Sequence, residues 1–443
     1  MGVNINDETL KNRVRLLSMR PNYLISLLVI TLLNSCDREP VPIKNSHYYM
    51  ELSIYPSSQI INVKGDLLYK IEEQTDSISF FVHRNIRFKD LELNGKTNYK
   101  LFRSPSNIRW LPDAYRITLV PKGSFRSGET AHLEFHYHAA ITEWPSWSAN
   151  VITKDWIELG GYFPWYPKID GMYTYDLKVD IDPEYHVFAE GNISHLDEQI
   201  QIQSHIPKSE IIICAAKDLQ IHKVAIDDKH INLVNTNLSE LSIKEIASAL
   251  KKLFQVNTET LGPIDTKEIS LVISKREKGG GYARESAIYL GGITDEKFQS
   301  RKASYFKYLA HEFSHLWWNN PHSNWEDWIN EGLAEFTALR IVRSVLGDKA
   351  YEDYIHRKTE NSENTPPIWE LDRSHEKAYA VLYSKSVILL HQLEQHIGQA
   401  AMSYFLQQLY KQNIHTTEDL LNMLQEQTDK ETRDKFEWML KND

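Results

Sequence analysis

Apolar and polar residues alternate one for one from about residue 45. Met50, Leu52 and Ile54 alternate with Glu51, Ser53 and Tyr55, and Leu177, Val179 and Ile181 alternate with Lys178 and Asp180. A period of two sends successive side chains to opposite faces, so these runs predict strands with one buried face. Turn signals at Asn94-Gly95, Asp182-Pro183 and Glu190-Gly191-Asn192 separate the runs and favour antiparallel neighbours. From about residue 238 the apolar spacing becomes three and four. It predicts a first helix over Leu238 to Val256, a strand over Ile269 to Ile273, and mostly helix from Ser300 onward. Thr416-Thr417-Glu418-Asp419 opens one of the last helices with a capping pattern. The chain therefore reads as α+β: an antiparallel β domain over about residues 45–230, then a mostly helical domain over 238–443.

Within the helical part, Phe306, Leu309, Ala310, Phe313, Leu316 and Trp317 form an apolar stripe that stops at Asn319-Asn320, just before Pro321. This stripe carries His311-Glu312-Phe313-Ser314-His315. Histidines four apart on a helix lie about 40° apart around its axis, so both imidazoles can reach one metal ion. Glu312 projects from the same region, close enough to take a proton from water at that metal. Catalytic zinc usually takes three protein ligands and keeps one position open, which calls for a third ligand. Glu331, in the helical stretch Trp328-Ile329-Asn330-Glu331-Gly332-Leu333-Ala334-Glu335, is the natural choice. Glu335, one turn on, suits either an orienting role or a solvated surface.

These residues resemble the gluzincin peptidases grouped with membrane alanyl aminopeptidase and leukotriene hydrolase, peptidase family M-one. HEFSHLWW followed by WEDWINEGLAEF is similar to that family's paired signature, although fifteen residues separate His315 from Glu331, a few fewer than the family pattern. The difference is placed in the interhelical loop around Asn319 to Trp325, since loops tolerate deletion better than ligand-bearing helices. The resemblance implies a saddle-shaped β domain before a thermolysin-like, mostly helical catalytic domain. It also implies one zinc ion on His311, His315 and Glu331, with Glu312 as general base. Tyr383-Ser384-Lys385-Ser386 resembles the family's tyrosine-lysine signature, with Ser386 in place of the usual glycine. It makes Tyr383 the oxyanion donor, with Tyr379 a weaker candidate.

The family's glycine-methionine-glutamate-asparagine signature, whose Glu binds the substrate's amino terminus, departs most. Here Gly279-Gly280-Gly281 keeps the glycine turn, but Tyr282 stands where the acid belongs. Gly280, Gly281 and Tyr282 are expected to line an extended substrate that adds to an edge strand ending near Leu290. Glu285 or Glu158 is the candidate substitute for the missing acid. Larger family members continue into a helical-repeat domain, and its lack here implies a more open site. The resemblance points to peptide hydrolysis, aminopeptidase-like, with exo- versus endopeptidase action undecided. Epoxide-type hydrolysis on the same site, and a non-catalytic surface binding lipoprotein, are the alternatives.

The remaining features narrow the class. With 443 residues, 42% hydrophobic, the chain can bury large cores, and a net charge of −10 without a long basic run disfavours nucleic acid. Leu24 to Leu33 is too short to span a membrane and follows Arg20, as in a signal-peptide core. Leu33-Asn34-Ser35-Cys36 then resembles a bacterial lipobox, so residues 1–36 are expected to be a leader ending at a lipid-bearing Cys36, with translation from Met1 or Met19. This places the protein in a bacterial cell envelope, lipid-anchored to a membrane, or else secreted. Cys214, in an apolar run, reads as a buried strand residue rather than a nucleophile. His132, His136 and His138 share one strand face, where a second metal or simple solvation are the two readings.

Overall fold

The computed structural model describes residues 44–443 except 109–110, 112, 143–149, 161, 197–198, 277–279 and 323. The leader and the lipobox-like Cys36 lie outside the described residues. Among those described, no helix is long and apolar enough to cross a membrane.

The alternating runs form strands as their period requires. Met50, Leu52 and Ile54 are all buried, while Glu51 and Tyr55 face out. A seven-stranded sheet runs in the order Asn192–Leu196, Gln199–Lys208, Tyr173–Asp180, Ser46–Tyr55, Ile60–Lys70, Thr130–Ala140, Phe88–Leu93. It is antiparallel apart from one pair, Ser46–Tyr55 with Tyr173–Asp180, which is parallel. A three-stranded sheet (Ile78–His83, Ala114–Pro121, Tyr99–Pro105) contributes Ile78, Phe80, Ile117 and Leu119 to the same core. A four-stranded sheet, ordered His186–Ala189, Ile213–Ala216, Ile157–Leu159, Val151–Ile152, lies between this core and the catalytic part. Cys214 is fully buried in it, as expected.

The β domain ends sooner than the periodicity predicts. Leu219–Ile226 and Lys229–Thr236 pair with Glu268–Ile273, and so belong to a five-stranded sheet of the catalytic part. A two-residue hairpin looks the same to local pattern whichever sheet receives it, so only the distant partner strand decides the boundary. The sheet continues through Ala287–Leu290 to Gly281–Arg284. The edge is thus the Gly281–Arg284 strand, and the strand ending at Leu290 lies inside it, correcting the expected edge.

The helix predicted over Leu238 to Val256 is α1, Glu240–Leu261. Ser239 caps it by accepting from the Ser242 N–H, and Gly262, at φ 106°, ends it. Helix α2 (Asp295–Ser300) leads into α3 (Lys302–Ser314), which packs on α4 (Asp327–Leu346). Phe313, Trp317, Trp328, Leu333 and Phe336 share one apolar core with α1 and the five-stranded sheet. Burying side chains of this size contributes roughly 1.5–3 kcal/mol each, which makes the α3–α4 pair a rigid platform. Thr416 caps the Thr417–Gln427 helix as its sequence predicts, accepting from the Asp419 N–H.

Candidate metal centre and active site

The expected helix through Trp317 stops at Ser314. Its final turn tightens to i−3 bonding: the His315 N–H donates to Glu312 O, Leu316 to Phe313 O, and Trp317 to Ser314 O. The two imidazoles nevertheless converge, with ring centroids 5.0 Å apart and planes at 84°. The Nε2 atoms of His311 and His315 each lie 3.5 Å from Glu331 Oε2.

The ring nitrogens facing away each meet an acceptor oxygen. His315 Nδ1 lies 2.9 Å from the Trp318 carbonyl, and must donate because a carbonyl only accepts. His311 Nδ1 lies 2.8 Å from Glu335 Oε2. Both contacts turn the Nε2 atoms toward Glu331, the orientation a metal-ligating histidine requires. Glu331 Oε2 is itself buried with no hydrogen-bond partner. Burial alone would depress the histidines, but Glu331, Glu335 and Glu312 overcome it and push His311 up to about 9. Two nitrogens, one oxygen and a strongly cation-seeking field match the donor set of a catalytic zinc, so the residues present fit that ion.

Glu335 is almost fully buried rather than solvated. Burial would raise its carboxyl, but Lys307 and Lys358, each 2.5 Å from Oε1, hold it well below the ordinary range together with His311. Neither lysine was foreseen. Lys307 precedes His311 by four residues on α3 and was legible as a face-sharing residue; Lys358 comes from the Asp348–Ser362 helix.

Glu312 is buried beside the triad. Burial raises its pKa, and the two imidazoles partly offset this. Its side chain rests on the edge strand, since a Cβ added to Gly281 would lie inside the carboxylate and 2.8 Å from Cγ. Only glycine allows the strand to pass so close to Glu312. Gly280 beside it is exposed, with open space around it.

Tyr383 stands across the triad, its ring 5.6 Å from that of His311. It sits in a π-helical turn, Val381–Lys385, ahead of the Ser386–Ile397 helix. Such one-turn insertions concentrate at functional sites, and the sequence pattern gave no sign of this one. Burial, then the charge and hydrogen bond of Glu331, keep the Tyr383 hydroxyl well above its ordinary pKa and therefore protonated. Tyr379 stacks on it at 4.3 Å and is mostly exposed. Lys385 Nζ donates to the carbonyls of Thr365 and Pro366, which ties down the preceding loop. Ser386 faces Gly332, where an added Cβ would approach its Oγ to 2.7 Å, so that glycine lets the two helices meet.

Glu158, Tyr282 and Glu285 differ from expectation in their surroundings. Glu158 has no exposed surface and Tyr282 is 4% exposed. They hydrogen-bond each other at 2.9 Å, and Arg276, which sequence reading missed, joins them. Placement next to a glycine run gives no local signal for such a residue. Glu285 occupies the hairpin tip after the edge strand, where Oε1 accepts from the Ser209 N–H. Of the histidines on the Thr130–Ala140 strand, His132 meets acids from near and far in sequence: Asp66 Oδ1 at 2.8 Å and Glu134 Oε1 at 3.6 Å. His136 faces Asp90 at 3.3 Å.

Comparison with known proteins agrees with this geometry. Residues 285–440 match the model of the Peptidase family M1 domain. No curated protein sequence matches the chain. The fold is similar to the M1 zinc metallopeptidase from Deinococcus radiodurans, with a TM-score of 0.66 at 16% identity, covering 89% of this chain and 93% of that one. It is also similar to leukotriene A4 hydrolase from Saccharomyces cerevisiae, with a TM-score of 0.62 at 15% identity, covering 89% of this chain and 67% of that one. The two-histidine, one-glutamate centre between α3 and α4 lies within the stretch that matches the Peptidase family M1 domain.

Proposed function

We propose that this protein hydrolyses peptide bonds with one zinc ion held by His311 Nε2, His315 Nε2 and Glu331. The observation that carries the reading is the convergence of three ligand atoms within 4.8 Å of one another, with Glu312 buried against the same strand edge. Bound zinc supplies Lewis acidity, polarising a carbonyl and making water a stronger acid near neutral pH. Glu312 accepts the proton of the attacking water and returns it to the leaving amine. Tyr383, kept protonated, donates its hydroxyl hydrogen to the oxyanion. The edge strand Gly281–Arg284 offers backbone N–H and C=O groups to an extended peptide, holding the scissile bond over Glu312. Glu335 fixes the His311 ring and is a positioning residue.

Metal analysis of the purified protein, followed by product mapping from a mixed peptide library, tests this reading. One zinc per chain and defined peptide cleavage are expected; a zinc-free protein inert on every peptide overturns it. The sequence before residue 44 supports a second part of the proposal, that Cys36 carries a lipid and holds the protein in a bacterial cell envelope. Partition of the native protein into detergent, lost in Cys36→Ser, is the expected result. Equal solubility of both forms would show that the lipobox is incidental.

A further inference from the structure

Glu335 is met by two ammonium groups, and they do different things. Lys307, on α3, reaches both carboxylate oxygens, Oε1 at 2.5 Å and Oε2 at 2.6 Å. Lys358, on the Asp348–Ser362 helix, lies 2.5 Å from Oε1. The two side chains are 19% and 14% exposed. Withdrawing a second ammonium from water costs free energy that one carboxylate, already matched, does not return. A further acceptor offsets that cost, since an ammonium carries three N–H donors. Lys358 Nζ donates to the backbone carbonyl of Tyr383 at 2.6 Å.

That carbonyl lies at the centre of the π turn Val381–Lys385. The Ser386 N–H reaches back to the Val381 carbonyl, the five-residue bond that sets this turn apart from an α-helix. The direction in which the turn sends its tyrosine is only as firm as the groups that hold its backbone. Lys358 thereby closes a circuit. His311 Nδ1 meets Glu335 Oε2 at 2.8 Å, Glu335 Oε1 meets Lys358, Lys358 holds the Tyr383 carbonyl, and the Tyr383 ring returns to that of His311 at 5.6 Å. Segments distant in sequence, α4, the Asp348–Ser362 helix and the π turn, thus join at one ammonium.

We propose that Lys358 is a positioning residue of this site: it fixes the oxyanion donor Tyr383 relative to the ring of His311, and does so through the tyrosine's backbone. This rests on the peptidase reading above and adds to it a residue that acts through others.

Peptide kinetics with zinc at saturation, and amide hydrogen exchange on the same proteins, test the proposal. Lys358→Met keeps the length of the side chain and removes the ammonium. It should lower kcat about tenfold or more with KM within about threefold, the pattern of a displaced group that works in the transition state. In a Tyr383→Phe background the same change should cost less than about threefold, because the hydroxyl it positions is gone. Lys307→Met supplies the contrast. It takes a cation from Glu335 and leaves the Tyr383 carbonyl held, so its cost should be the same with and without Tyr383→Phe. A Lys358→Met cost that is likewise the same in both backgrounds overturns the proposal, as does wild-type kcat in folded Lys358→Met. Amide exchange across residues 378–387 should quicken at least about tenfold in Lys358→Met and keep its wild-type rate in Lys307→Met. Exchange that is the same in both variants overturns the proposal. Lys358→Gln, which loses both charge and reach, takes its place should Lys358→Met fail to fold, with the same outcomes expected. If the wild type cleaves no peptide, the peptidase reading fails, and the exchange rates still decide whether Lys358 holds the tyrosine turn.

Discussion

Among the described residues, two clusters bring histidine and carboxylate ligand atoms within 4.8 Å of one another: His311, His315 and Glu331, and Asp66, His132 and Glu134. By ligand proximity they are alike. By environment they are opposites. The first has side chains 8%, 10% and 17% exposed, the outward nitrogen of His315 hydrogen-bonded to a carbonyl, that of His311 2.8 Å from a carboxylate, and a buried Glu331 oxygen without a hydrogen-bond partner. The second has side chains 39–45% exposed, lies on the outer face of the seven-stranded sheet, and already pairs His132 with Asp66. A cluster that water and its own ion pairs satisfy gains little from a cation, whereas a buried carboxylate with no partner gains a great deal. Burial and anchoring, more than distance, distinguish a metal centre from a surface ion cluster.

The sharpest way to break this comparison is to remove ligands from the buried cluster. His315→Ala and Glu331→Ala should each lose zinc on metal analysis and lose peptide hydrolysis to the detection limit. Retention of full zinc by either would mean that the ligands lie elsewhere. Next come the groups that act beside the metal. Glu312→Gln should keep zinc and lose about a hundredfold or more in rate, and Tyr383→Phe about a hundred- to a thousandfold in kcat with KM little changed. A Tyr383→Phe enzyme with wild-type kcat would remove the tyrosine from the reaction.

A smaller effect belongs to the anchor of His311. Glu335→Gln leaves the shape but removes the charge that meets Lys307, Lys358 and His311, and zinc affinity should fall about ten- to a hundredfold in chelator competition. At the bottom of the scale, His132→Ala should leave zinc content and activity unchanged, and move stability in denaturant melts by no more than about 1 kcal/mol. A second bound metal that disappears with His132 would overturn the contrast between the clusters.

Local sequence carried much of this protein. The alternation at Met50, Leu52 and Ile54 determined both strand and buried face, because a period of two leaves no other way to hide those side chains. The four-residue spacing of His311 and His315 determined that their rings meet, even though the helix ends between them. Gly281 and Gly332 were legible as glycines in suggestive motifs, and their reason, a carboxylate on one and a helix crossing on the other, became visible only in three dimensions.

What tertiary structure alone decided is pairing across distance. Leu219–Ile226 and Lys229–Thr236 join the sheet of Glu268–Ile273, a destination that a hairpin's sequence does not name. The π turn at Tyr383 depends on the helices packed around it. Arg276 meets Glu158 across 118 residues of chain, so no spacing rule could link them. Periodicity and motif record what a residue demands of its near neighbours, while charge compensation in a buried layer is set by whichever distant segment arrives there, and that assignment belongs to the fold.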